Sequence, residues 1–171
     1  MRKGPIVLLL PFFAICCVAS PSHALSVWLH QPGASPVTSF SWTLNGSYID
    51  IYETWTSVGY TFIGIENLVP DENYIVRKHI TNNTGTNWDL FSNELLDPGL
   101  DAEDNLYDPQ PYPGWVPAGF TTSNDMDGLS YAQGSNLPRT SMAFGSLLVD
   151  ELADARDFLQ FSDGLVSGVG G

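Results

Sequence analysis

The chain has 171 residues, of which 19 are acidic and 6 basic, giving a formal net charge of −13 with histidine neutral. That balance disfavours nucleic acid and anionic membrane as partners, since both are recognised through basic patches. It has a bland reading, solubility, and a sharper one, cation binding, and does not by itself separate them.

Arg2 and Lys3 form a short basic region, Ile6 to Ala19 a nearly unbroken apolar run, and Ser22-His23-Ala24 a small-residue cleavage pattern. The apolar run, about 14 residues, is shorter than the roughly 17 to 25 that cross a bilayer, and no second run appears downstream. Residues 1–24 are therefore predicted to be a secretory signal peptide, with no transmembrane segment in the mature chain. Lipidation of Cys17 is the competing reading, but Ala14-Ile15-Cys16 before it makes a poor lipobox. Both cysteines lie inside the signal, so the mature protein must hold by packing alone. Residues 25–171 keep four cationic and all nineteen acidic side chains, a net charge of about −15. Their number suits a single domain that buries about 68–70% of its unfolded surface.

A Pro/Gly/Ser stretch, Gln31 to Pro36, precedes the clearest structural signal. Phe40, Trp42 and Leu44 alternate with Ser39, Ser41 and Thr43, the period-2 pattern of a half-buried strand. Asn45-Gly46 follows at once and predicts a type I′ hairpin turn, which needs positive φ at both central residues. The second arm is Tyr48 to Trp55, with Ile49 and Ile51 on one face and Tyr48, Asp50 and Tyr52 on the other. Ser57 to Gly59 break that arm, and Tyr60 to Ile65 reads as another strand. Pro70-Asp71 marks a turn. Tyr74, Val76 and Ile80 then share one face while Arg77, His79 and Thr81 share the other. The polar run Asn82 to Thr86 closes this strand, and Trp88 to Leu96 is placed as its antiparallel return.

From Asp97 to Pro117 the chain holds five prolines and five acidic residues, a predicted long loop of the kind that is functional or disordered when it occurs in a compact domain. Short apolar runs resume near Val116 to Thr122 and Leu129 to Ala132. Leu148, Leu152, Ala155 and Leu159, spaced by 4, 3 and 4, predict one short amphipathic helix. Gly164 to Gly171 reads as a Gly-rich tail. Many short strands between turns, with no β-α alternation, predict an all-β fold, an antiparallel β-sandwich of jelly-roll or immunoglobulin-like style.

Two passages, Tyr74 to Trp88 with its Thr81-Asn82-Asn83-Thr84-Gly85 core, and Asp157 to Gly164, resemble secreted bacterial surface proteins of the exosortase-sorted (PEP-CTERM) kind. Together they span about a seventh of the chain. The resemblance implies a β-sandwich at the cell surface or in the extracellular matrix, in bacteria that make extracellular polysaccharide. It also implies a strand over 157–164, where the periodicity implies a helix. The Pro-Glu-Pro motif, hydrophobic helix and basic tail of the sorting signal do not occur in these residues, which implies either continuation beyond Gly171 or release instead of sorting.

For chemistry, Asp97, Asp101, Glu103, Asp104 and Asp108 fall within twelve residues and offer the hard oxygen ligands that Ca²⁺ takes from a flexible loop. The alternative is a solvated acidic loop, the usual fate of a charge run. Tyr107, Tyr112 and Trp115 in the same loop could stack on sugar rings, or could cover one end of the core, the commoner fate of large aromatics. Trp28, Trp42, Trp55 and Trp88 are read as core or strand-face residues. Ser123 to Gly128 has an EF-hand-like Asp-Met-Asp-Gly ending but no bidentate Glu at position twelve, and is read as a turn. Asn45-Gly46-Ser47 and Asn82-Asn83-Thr84 fit glycosylation acceptors and, better, tight turns.

No G-x-S-x-G elbow, mature cysteine or H-E-x-x-H motif is present. Glu53, Glu66, Glu72 and Glu94 are the carboxylates from which a glycosidase pair could be drawn. The expectation is thus a secreted, non-enzymatic envelope or matrix protein whose partner is polysaccharide or another envelope protein. The alternative is a small secreted carbohydrate-active hydrolase using paired carboxylates.

Overall fold

The computed structural model describes residues 24–30, 35–97, 121–122, 131, 139–152 and 156–169. It forms β1 (Ser26–His30), β2 (Val37–Asn45), β3 (Tyr48–Trp55), β4 (Phe62–Glu66), β5 (Ile75–Asn82), β6 (Phe91–Glu94), β7 (Leu96–Asp97), β8 (Thr121–Thr122), β9 (Phe144–Leu152) and β10 (Arg156–Gly164). The fold is all-β. Among the described residues there is no helix, and so none long and apolar enough to cross a membrane. The strands pair as β2-β3-β5, β6-β10-β9, β1-β4 and β7-β8.

The hairpin predicted around Asn45-Gly46 forms, with one change in its turn. Asn45 pairs with Tyr48, so Gly46 and Ser47 are the two central residues. Gly46 has φ +60° and Ser47 is not in the left-handed region, which is the type II′ arrangement with glycine first, not type I′. The register places Phe40, Trp42 and Leu44 opposite Glu53, Ile51 and Ile49, so the apolar sides of both arms share one face. That face is the inner one. Val27, Ile49 and Ile51 are buried there under Leu25, Trp42, Ile63, Ile65 and Tyr74, while Val37, Trp55 and Trp88 form a second cluster with Ile80, Phe91 and Val166. Phe40 packs against both clusters and makes them one core. The β1-β4 pair and the β6-β10-β9 sheet therefore together form the layer facing β2-β3-β5. Within β1-β4, Trp28 lies opposite Gly64, and a Cβ at position 64 would fall on the indole ring, so glycine here permits the close approach.

Three expectations are corrected. First, the sandwich is not wholly antiparallel, because β3 and β5 run parallel, Tyr48 opposite Ile75 through Trp55 opposite Asn82. Parallel neighbours cannot be joined by a tight hairpin and need a crossover. Residues 56–74 supply it by passing through β4 in the facing layer. Second, Trp88 to Leu96 does not return along β5: β6 pairs with β10, and Trp88 bridges to Val166. The polar run after β5 is a staple instead of a hairpin turn. Asn82, 2% exposed, accepts from the Thr84 N–H and hydroxyl and donates through Nδ2 to the carbonyls of Thr86 and Val166. The loop is thereby fixed to the segment after β10. This use of the Asn82 amide suits its reading as a turn residue and closes it to glycan attachment.

Third, the helix expected over residues 148–159 is a pair of strands, β9 and β10, antiparallel from Arg156 opposite Leu152 to Gly164 opposite Phe144. A spacing of four is a multiple of the strand period as well as near the helical one. Only the step from Leu152 to Ala155 distinguished the two, and it falls at the connection between the strands. β1 had no counterpart among the predicted elements, because Ser26-Val27-Trp28-Leu29-His30 does not alternate in polarity and abuts the segment expected to be a signal peptide.

Candidate functional site

Alternation along β3 puts one set of side chains in the core and the other on the open face of β2-β3-β5. Two buried carboxylates on this strand go to opposite sides. Glu53, 2% exposed, faces inward, where its Oε2 accepts from Trp55 Nε1 at 2.8 Å and its Oε1 pairs with Lys78 Nζ at 3.0 Å. Lys78 also donates to Asn93 Oδ1 at 3.4 Å and lies over the Phe91 ring, tying β5 to β6 across the layers.

Asp50 faces outward. The parallel register sets it opposite Arg77, with Tyr52 opposite His79 and Tyr48 opposite Ile75. Asp50 Oδ2 accepts from Arg77 Nη2 at 2.5 Å and Oδ1 from His79 Nε2 at 2.8 Å. A carboxylate can only accept, so His79 Nε2 is the donor of this bond. The hydrogen bond from Arg77, and after it the one from His79, hold the Asp50 carboxyl below the usual carboxylate range, and the same contact raises the Arg77 guanidinium. Arg77 and His79 cover Asp50, which is 7% exposed although it sits on an open sheet face.

The aromatics complete the arrangement. Tyr52 stacks on His79 with ring centroids 4.6 Å apart and planes inclined by 12°. The two residues are opposed across neighbouring strands, and on its other side Tyr52 is paired with Ser41 of β2. Tyr48 carries the Arg77 guanidinium 4.6 Å from its ring centre and is paired on its other side with Asn45 of β2. Ser39, Ser41 and Thr43 are exposed and short. The face is thus a ridge, Tyr48-Asp50-Tyr52 backed by Arg77 and His79, beside a shallow trough floored by hydroxyls. Four residues of strand separate the tyrosines by about 13 Å.

The residues singled out from the sequence lie elsewhere. Tyr107, Tyr112, Trp115, Asp101, Glu103, Asp104 and Asp108 lie outside the described residues; Asp97 ends β7 opposite Thr121, and its side chain is likewise outside them. Among the described residues no group of three or more His, Cys, Asp or Glu side chains is placed to hold a metal ion. Of the four glutamates considered for catalysis, Glu53 is closed off by Lys78 and Trp55, Glu66 and Glu72 are exposed, and Glu94 is half-buried on β6. Trp55 and Trp88 are core residues in edge-to-face contact, 5.4 Å between centroids. Tyr48, Asp50, Tyr52, Arg77 and His79 were not singled out, although their period-2 spacing already puts them on common strand faces.

Compared with models of known protein families, with curated proteins and with solved structures, the chain matches none. The geometry of this face is therefore what a functional reading has to stand on.

Proposed function

We propose that this is a secreted, non-enzymatic protein of the bacterial envelope or extracellular matrix, and that it associates with polysaccharide through the open face of β2-β3-β5. The observation that carries the reading is the pair of half-exposed rings, Tyr48 and Tyr52, each braced on one side by Arg77 or His79 and lying beside the hydroxyl-bearing strand β2. The electron-rich face of an aromatic ring attracts the C–H face of a pyranose, and hydroxyls beside it can exchange hydrogen bonds with those of the sugar. Bracing matters because an ordered side chain loses little rotamer freedom on binding. The signal-like first 24 residues support export.

The test is binding of the purified protein to an array of polysaccharides, with and without Ca²⁺. Selective binding that Tyr52→Ala reduces about tenfold, in the range of one lost aromatic contact, is the expected outcome. A folded sample that binds nothing on the array, or whose binding is indifferent to Tyr52, overturns the reading. Binding that requires Ca²⁺ and ignores Tyr52 would return attention to the acidic loop of residues 97–117.

A further inference from the structure

Resting on the polysaccharide reading, we infer that the sugar taken by this face carries a carboxylate, and that the outward edge of the Arg77 guanidinium receives it. A guanidinium has five N–H donors in a planar fork. Asp50 takes one of them, and the described residues supply no further acceptor for Arg77. The fork is fixed in two ways, by the hydrogen bond at one Nη and by the Tyr48 ring beneath it. The Arg77 side chain is nonetheless 48% exposed. Its unspent donors are held rigid and open to solvent, the state in which arginine recognises a carboxylate through two parallel hydrogen bonds.

Charge favours the same ligand. The chain carries 19 acidic residues, yet the outward-facing residues of β2, β3 and β5 include one acid, Asp50, and that one is covered by Arg77 and His79. An incoming carboxylate therefore meets no bare anion at the ridge. Tyr52 and Ser41 offer the body of the sugar an aromatic ring and a hydroxyl beside it. A neutral sugar would use the ring face and leave the fork idle.

The experiment is isothermal titration calorimetry on the purified protein in EDTA, which removes divalent bridging through the acidic loop. The probes are oligosaccharides of polygalacturonate, alginate and hyaluronan, each beside its carboxyl-reduced neutral form. At least one acidic probe is expected to bind about tenfold or more tighter than its reduced partner, the scale of a charged hydrogen bond. Arg77→Lys, which keeps the charge and loses the fork, should erase most of that preference, with melting temperature reporting that the variant is folded. Equal affinity for acidic and reduced forms, or a preference that survives Arg77→Lys, overturns the carboxylate inference and leaves polysaccharide association standing. No binding of either form by the folded protein overturns both.

Discussion

The two faces of β3 use the same chemistry to opposite ends. Inward, the fully covered Glu53 meets Lys78, whose side chain is 21% exposed, and the pair joins β3 to β5 and, through Asn93, to the facing layer. Outward, Asp50 meets Arg77 and His79, and although the carboxylate is nearly as covered, both partners remain half-exposed. The difference lies in which end of the ion pair reaches solvent. Lys78 is mostly covered and also engaged by Asn93 and Phe91, so the inner pair holds the structure together, whereas a covered acid whose partners are half-exposed orients those partners for something else. Parallel pairing makes both possible, since it opposes Asp50 to Arg77 and, one step along the same face, Tyr52 to His79.

The largest effect expected from breaking this contrast is on the inner side. Glu53→Gln keeps an acceptor for Trp55 Nε1 but leaves Lys78 without its anion, and removing one member of a buried pair costs about 3–5 kcal/mol. Urea denaturation measures it. Adding Lys78→Met should recover a good part of the loss, because a buried pair is commonly worth no more than an apolar replacement of similar volume. A cost below about 1 kcal/mol for Glu53→Gln alone would mean that Lys78 is solvated and that the two faces do not differ in the way described.

A smaller effect on stability is expected outside. Tyr52→Ala removes one stacked contact from an exposed ring, so its cost should stay below about 1.5 kcal/mol, even though sugar binding depends on it. Loss of the fold instead would make Tyr52 a packing residue and dissolve the distinction between faces.

The sequence made each half of this site readable and concealed their union. Period-2 alternation put Tyr48, Asp50 and Tyr52 on one side of one strand, and Arg77, His79 and Thr81 on one side of another. Nothing local says that these strands are neighbours, because their pairing is parallel and bridged by residues 56–74 through the other layer. The Asn-Gly signal, by contrast, joins strands across two residues, and the β2-β3 hairpin was legible to within one position of its turn. Glu53 shows the limit in another form. In a list of carboxylates it is a candidate for catalysis, and only the register that sets it near Lys78 makes it structural. The helix misread in β9 and β10 came from a spacing that both periods share.

The outer cluster can also be tested through pH, and there the sign is fixed by the direction of the shift. The Asp50 carboxyl is lowered from its ordinary value of 3.8 by the hydrogen bond from Arg77 first and from His79 second. A carboxyl lowered in the folded state adds stability that is fully present above its unfolded value and disappears as pH falls through the folded one. Asp50→Asn should therefore be less stable than the parent protein at pH values above the ordinary carboxylate range. The margin should shrink below pH 3.8 and vanish in stronger acid, where the parent carboxyl is itself protonated. The opposite shift of Arg77 lies above any working pH and adds nothing to this window. Paired thermal melts across the acid range measure the margin. A margin that persists unchanged at the acid end would mean that Asp50 acts through its shape and not its charge, and that Arg77 owes its orientation to Tyr48 alone.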